Sequence, residues 1–450
     1  MNKSVLALLV AVPVIAYPAA SWVIGGQIES LLTEQYAQLE HNEFVRLVER
    51  KTERGIFSSK DTATLEIRPE LLGELAENQK PPRFTLHSDI QHGPLPGFAA
   101  IGMARAHTEL HVDNALIKNL FNNQPPLTVS SQLDFSGAGR EQLRSPPVEG
   151  QVDGQLQLAS GGLQLDIDFN LDQSVWQMQG GVPFFKLRSN DPVQSRIELD
   201  KLNLEGTQSR VSAELPDLYT GPIKLTLQTL DMQGVSEARE PVHMQNLRAE
   251  SDVRHQNGFV DIQVGYAIDD MRVGAQSLKN ARFELALRHL QAQALVELDR
   301  VSRAQSGGQD ANAALKPMLP ALQKLLENSP EIAIEQLGVS TPEGDIKASA
   351  VVKLPNANVG DLGVAMENPV ILMGLASVVE ANAQLALPQA LLMANLSEEQ
   401  AEMLPALLQS GYVLNNNGQL STSISYAQGR VTINGQLIDP GVMTGMGAGN

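Results

Sequence analysis

Three hydrophobic periods follow one another along the chain. Residues 5–24 are apolar and carry no charge. At 1.5 Å per residue, a helix of that length is about 30 Å long, the thickness of a bilayer's hydrocarbon core. Next, Ile28, Leu31, Leu32, Tyr36 and Leu39 recur at helical spacing among Glu, Gln and Thr, which predicts an amphipathic helix to about residue 48. From about residue 56 to 305 the period falls to two. Leu163, Leu165, Ile167 and Phe169 alternate with polar neighbours, as do Ile223, Leu225 and Leu227, and then Val260, Ile262, Val264, Tyr266 and Ile268. Such alternation predicts antiparallel strands with one wet and one buried face. Ser160-Gly161-Gly162, Gly221-Pro222 and Asn257-Gly258 supply turns. No helical crossovers interrupt this stretch, which excludes a parallel α/β fold.

After residue 305 the pattern mixes. Residues 311–328 and 361–380 read as helices, and 388–410 as two short ones. Ile346 to Leu354 and Ala381 to Leu387 read as strands. Ser397 followed by Glu398 and Glu399 is a helix start. A hairpin closes through Ile424 and Tyr426, turns at Gln428-Gly429, and returns through Val431 and Ile433. Met-Leu-Pro-Ala-Leu at 318–322 recurs at 403–407, a hint of a duplicated helix-plus-hairpin unit that chance explains equally well. The expected fold is mainly β (α+β): an N-terminal transmembrane helix, then large curved antiparallel sheets with a few C-terminal helices. The expected divisions are an anchor at 1–26, a juxtamembrane amphipathic helix at 27–50, an antiparallel β domain at 51–305, an α+β region at 306–438 and a flexible tail at 439–450.

Composition narrows the function classes. Lys plus Arg number 33 against 51 Asp plus Glu, a net charge of −18, which argues against nucleic acid as a partner. The chain has no Cys, so disulfides, thiolate metal sites and cysteine nucleophiles are excluded. Aromatics make up 4%, so any core is built mainly of aliphatic side chains.

Charge also orients the first segment. Lys3 precedes it and the next basic residue is Arg46, which places the N-terminus in the cytoplasm and the remainder across the membrane. Val5, Leu9, Val14, Trp22 and Ile24 are the anchor residues, Trp22 being placed as an interfacial aromatic. A cleaved signal peptide ending at Ala19-Ala20-Ser21 is the competing reading. The uncleaved anchor is preferred, because apolar character resumes at Val23 and Ile24.

Scattered motifs carry a family resemblance. Gly26-Gln27-Ile28-Glu29 follows the first segment, and Glu53-Arg54-Gly55-Ile56-Phe57-Ser58-Ser59 opens the strand region. His92-Gly93-Pro94-Leu95-Pro96 comes next, then Leu404-Pro405, Gly411-Tyr412 and a final run from Tyr426 through Gly429 to Gly435. On these residues the chain resembles the YdgA-like family of bacterial envelope proteins, with Leu95 where that family usually has Phe. The resemblance implies an inner-membrane-anchored periplasmic protein of unresolved role, and it brings no catalytic residues.

Candidate chemistry is sparse. His107, Glu109, His111 and Asp113 alternate, so a strand would present all four on one face, where they could hold zinc. The opposite positions Thr108, Leu110 and Val112 make the quartet read equally as the wet side of a strand, which is the preferred reading. His92 lacks a local nucleophile and orienting partner, so it reads as a hydrogen-bonded corner residue. Gly55 reads as the swing from helix to strand, with Phe57 packed inward. No cofactor and no enzymatic activity are expected. Many strands with one apolar face must cover that face somehow. One solution is a curved groove holding lipid or another hydrophobic ligand in the service of the cell envelope, similar to the AsmA-like envelope proteins by fold analogy alone. With an anchor in the inner membrane, such a groove would suit the handling of lipid or lipoprotein; the other solution is a filled core in a structural protein that contacts another envelope protein through its juxtamembrane or C-terminal helices.

Overall fold

The computed structural model describes residues 3–38, 44–68, 81–152, 154–189, 195–234, 240–304, 315–355, 360, 362–368, 374 and 376–438, with side chains in the first of these stretches described from residue 17 to 37. The chain forms two compact units, Met1–Glu205 with Gln233–Glu237, and Gly206–Met232 with Ala238–Asn450. Both are mainly antiparallel β.

The first unit opens on helix α1 (Lys3–Gln38), followed by β1 (Val45–Arg54), β2 (Ser58–Ile67), β3 (Arg83–His92) and β4 (Ala104–Val112). A short helix α2 (Ala115–Leu120) leads to β5 (Leu127–Leu133) and β6 (Ala138–Ser145). Then come β7 (Val148–Val152), β8 (Leu156–Ser160), β9 (Leu163–Asn170), β10 (Val175–Ser189) and β11 (Arg196–Ser212), the last divided between the units. Strands β1 to β6 pair in chain order, β9 joins β6, and β10 pairs with both β8 and β9.

The second unit continues with β12 (Leu215–Gln233), β13 (Val242–Gln256), β14 (Phe259–Val273), β15 (Gln276–Gln291), α3 (Ala292–Ala304) and α4 (Leu319–Glu327). It goes on through β16 (Glu331–Thr341), β17 (Gly344–Lys353), α5 (Leu362–Glu367), β18 (Glu380–Pro388), α6 (Gln389–Asn395) and α7 (Glu398–Gln409). Short β19 (Leu414–Asn416), β20 (Gln419–Ala427), β21 (Arg430–Ile433) and β22 (Gln436–Leu437) end the described chain. From β12 to β18 each strand pairs with the next, and β18 pairs with β20. Register shifts at Val260/Ile262, Glu284/Leu285 and Ile334/Leu337 are bulges, which bend strands and raise their twist.

Several elements depart from the sequence expectation. The predicted anchor and amphipathic helix are one continuous α1, and it stops at Gln38. Val45 to Arg54, expected as the end of that helix, is a strand, because Val45 and Leu47 alternate with Arg46 and Val48 and face β2. Residues 292–304, expected within the strand region, form α3; Leu295, Leu298 and Ala292 recur at helical spacing and pack on Leu218, Val260 and Leu290. Among the described residues no helix is long and apolar enough to cross a membrane; Val5, Leu9 and Val14 have side chains outside that description, although α1 runs through them. The predicted tail at 439–450 and the start of the predicted helix at 311–328 also lie outside it. Ser397 caps α7 as expected, its hydroxyl accepting from Gln400 N while the Gln400 side chain accepts from Ser397 N.

Candidate functional site

The largest coherent feature of the second unit is one face of its sheet. Cross-strand partners share a face, so the register reads out rows of side chains. One row runs Leu225, Ala249, Tyr266, Phe283, Leu337, Ala348, Leu385 and Thr422. The next runs Ile223, Ser251, Val264, Leu285, Ile334, Ala350, Ala383 and Ile424. Eight strands at about 4.8 Å spacing carry each row over about 34 Å. The opposite face is charged: Arg248 and Arg282 bracket Asp269, and Arg288 and Lys353 meet on Glu331.

Among the described residues, α3 and α4 cover one end of the apolar face. There α3 and α4 lay Ala292, Ala294 and Leu325 over Leu218, Val260 and Leu290, with Val253, Ile262 and Leu287 packed around them. Beside the plug Ile332 is 52% exposed, and farther from it Tyr266 is 52% and Leu337 44% exposed. These exposures lie along one apolar surface and are not isolated surface residues. Leu337, Ala348, Leu385 and Leu414, together with polar side chains that include Glu335, Lys347, Gln384 and Asn434, line an open cleft of about 600 Å³ on it, within the range of small-ligand sites. The sequence showed alternation strand by strand, but only register shows that the apolar residues of eight strands fall on the same side.

The motif residues of the first unit gather around α1. Arg54 donates to Glu29 at 2.9 Å and stacks its guanidinium 4.2 Å from the centre of the Trp22 ring. Gly55 N donates to Ser58 O at 2.8 Å, closing the turn, and a Cβ there would meet that oxygen at 2.9 Å. Phe57, expected inward, is 46% exposed and stacks on Tyr17 at 5.5 Å, because the helix rather than the sheet offers it a partner. The Gly93 carbonyl accepts the Ser21 hydroxyl, and the Leu95 carbonyl accepts that of Tyr17 at 3.0 Å. Pro94 follows Gly93 through a cis peptide. Ile24 lies half-buried on this stretch of helix. Further along, Tyr36 packs under Arg50 and against Asp61, and burial followed by the Asp61 charge pushes its phenol up to about 12.

His92 is the buried centre of this cradle. Its Nδ1 lies 3.1 Å from the Ile56 carbonyl and its Nε2 2.8 Å from the Ser59 hydroxyl. A carbonyl only accepts, so Nδ1 carries the proton and Nε2 accepts from Ser59. Burial lowers its pKa below the ordinary imidazole value. Helix α1 passes directly over the ring: a Cβ on Gly25 would meet Cε1 at 2.5 Å.

At the chain's end, Gln428-Gly429 and Asn434-Gly435 each adopt two successive positive φ angles, the geometry of tight hairpin turns. Tyr426 hydroxyl donates to Ala376 O at 2.8 Å. Asn434 donates to both Gly411 O and Tyr412 O and accepts from Ser423 N. These contacts bind one turn to another, and Asn434 also lines the edge of the cleft beside Leu337 and Leu385.

The quartet on β4 is divided. Glu109 lies 3.1 Å from His111 Nε2 and 3.6 Å from His107 Nε2, whereas Asp113 turns to Lys118 at 2.8 Å. His87 of β3 packs edge-on to His111 at 4.8 Å. Among the described residues no group of three or more His, Asp or Glu side chains is arranged to hold a metal. On the apolar side of the same sheet, burial raises the Glu141 carboxyl above the usual range, and a hydrogen bond from Ser131 partly offsets it.

Comparison with known proteins agrees with the motif resemblance. The chain is 22% identical over 488 residues to Protein YdgA of Escherichia coli (strain K12), covering 97% of this chain and 95% of that protein. No solved structure matches it. A family model described as bacterial protein of unknown function, DUF945, matches residues 1–441. By that match over nearly its whole length, the chain belongs to the DUF945 family.

Proposed function

We propose that this is a membrane-anchored periplasmic protein that performs no chemistry and holds lipid, or another ligand with a long apolar chain, on the open face of its second unit. The observation that carries the reading is the apolar face across β12–β18 and β20, plugged by α3 and α4 at one end and exposed at Tyr266, Ile332 and Leu337. Covering such a face with an acyl chain removes apolar area from water at roughly 25 cal/mol per Å². The uncharged residues 5–24, preceded by Lys3, support an anchor with its N-terminus in the cytoplasm. A role in cell-envelope maintenance follows from holding lipid beside the membrane.

Photo-crosslinking tests the reading. The full chain is reconstituted with phospholipid carrying a diazirine on its acyl chain, irradiated, digested and mapped by mass spectrometry. Adducts on Tyr266, Leu337 and Leu385 are expected, and their loss in the Leu337→Asp, Leu385→Asp double variant. Adducts confined to residues 5–24 would leave the face without a lipid and overturn the proposal.

A further inference from the structure

We propose that the rim of the first unit formed by the β1–β2, β3–β4 and β5–β6 connections inserts into the periplasmic leaflet of the bilayer, gripping lipid around the exit point of α1. The inference rests on the reading of residues 5–24 as an anchor and adds a second contact to it.

In a meander of antiparallel strands, alternate connections lie at the same end of the sheet. Strands β1 to β6 form such a meander, so these three connections share one end. Each carries large apolar side chains in the open: Ile56 and Phe57 in the first, Leu95, Phe98 and Ile101 in the second, Phe135 in the third. Phe98 and Ile101 are 79% and 78% exposed, more than any other large apolar side chain described. At the opposite end, the β4–β5 connection carries one exposed large apolar side chain, Leu116 at 41%, among Asp113, Lys118, Asn122, Asn123 and Gln124. The apolar rim ends at the β9–β10 turn, which carries Asp172.

The middle connection brings no polar side chain with it. Residues 94–103 read Pro-Leu-Pro-Gly-Phe-Ala-Ala-Ile-Gly-Met, with no charge and no hydroxyl or amide side chain. Its backbone pairs inward: Phe98 N donates to Leu95 O, Ala99 N to Pro96 O, and Gly102 N to Pro94 O. At its base Gly93 N donates to Met103 O, and the Gly93 and Leu95 carbonyls also accept hydroxyls from α1. Each of these pairs lowers the cost of bringing that part of the backbone toward lipid. The charge in the third connection, Asp134, folds back on its own turn and accepts from Ser136 N and Ala138 N.

Position identifies the occupant. The Tyr17 ring lies 5.5 Å from Phe57 and 5.6 Å from Phe98, so the rim meets α1 within the uncharged residues 5–24. Arg54 over Trp22 marks the level at which charge first meets the helix. Tyr17 is five residues nearer the N-terminus, about 7.5 Å along the axis, which matches the roughly 5–10 Å depth of interfacial insertions. A helix that continues from that point through lipid leaves lipid as the surface the rim meets.

The absence of cysteine makes the test direct. Full-length single-cysteine variants Phe98→Cys, Ile101→Cys, Val14→Cys and Gln124→Cys are labelled with an environment-sensitive fluorophore. They are reconstituted in phosphatidylethanolamine–phosphatidylglycerol vesicles with and without brominated acyl chains. Blue-shifted emission and bromine quenching are expected at positions 98, 101 and 14, with neither at 124. Quenching at 14 alone overturns the rim proposal and leaves the anchor standing. A blue shift at 98 and 101 without quenching names a protein surface as the occupant and overturns it too. Quenching at none of these positions overturns the anchor and the rim together.

Discussion

The imidazole of His92 has a carbonyl at one nitrogen, a hydroxyl at the other and the backbone of α1 against its ring. Only the neutral tautomer with Nδ1–H fits the Ser59 hydroxyl as donor, and burial lowers the pKa accordingly. Below an unfolded pKa near 6.5, the unfolded chain takes up a proton that the folded site resists. Stability is therefore full above that value and declines as pH falls toward the depressed folded pKa. In a His92→Asn variant the first unit is expected to be less stable at neutral pH by about 1–3 kcal/mol. Its stability is also expected to change less between pH 7 and pH 5. Thermal denaturation across that range checks both, and an undiminished acid slope in the variant would assign the titration to another group. From sequence His92 was legible as a hydrogen-bonded corner residue. The glycine that presses on it, 67 positions away, was not, because nothing local in either segment encodes a contact that exists only after the helix docks.

At the scale of elements, α1 is held to the β1–β3 sheet by small residues and ion pairs rather than by a wide apolar stripe. Ser21, Gly25 and Gly26 allow close approach, and Arg54 and Arg50 reach the helix from β1. Gly25→Ala is then diagnostic, because in a free helix it would stabilise by about 0.5–1 kcal/mol. Here the added methyl strikes a buried ring, and a loss of about 1–3 kcal/mol is expected. Hydrogen exchange should rise in β2 and β3 while β13–β15 stay protected. The same docking explains why the helix from 27 onward read as a plain amphipathic stalk. Ile28, Leu31 and Tyr36 gave its periodicity, while the polar contacts of Glu29 and Thr33 looked like solvent-facing positions. Individual strands were legible wherever alternation was clean, as at Val260 to Ile268. Helix α3 was not, since Ala292, Ala294 and Val296 also fit a period of two until their packing decides.

Over the whole molecule, a net charge of −18 coexists with an uncovered apolar face. Mutual repulsion between copies opposes pairing of those faces, and salt screens it over a Debye length that shrinks from about 10 Å at 0.1 M to about 3 Å at 1 M. Sedimentation of the detergent-solubilised full chain is expected to show self-association rising with ionic strength. The Leu337→Asp, Leu385→Asp variant should remain unassociated at the same salt; equal association of both proteins would place the sticky surface elsewhere.

Strand order in the second unit bears on how the protein is made. From β13 to β18 every strand pairs with its predecessor in the chain. Nearest-neighbour pairing keeps loop closures short and favours fast zippering. A polypeptide delivered N-terminus first, at whatever pace, finds the template for each new strand already in place. The growing structure exposes one unpaired edge at a time until β18 is laid down, and β20 then joins it from beyond α6 and α7. Unit two can thus assemble in the order in which it is delivered, with no segment waiting for a distant partner before the sheet can begin.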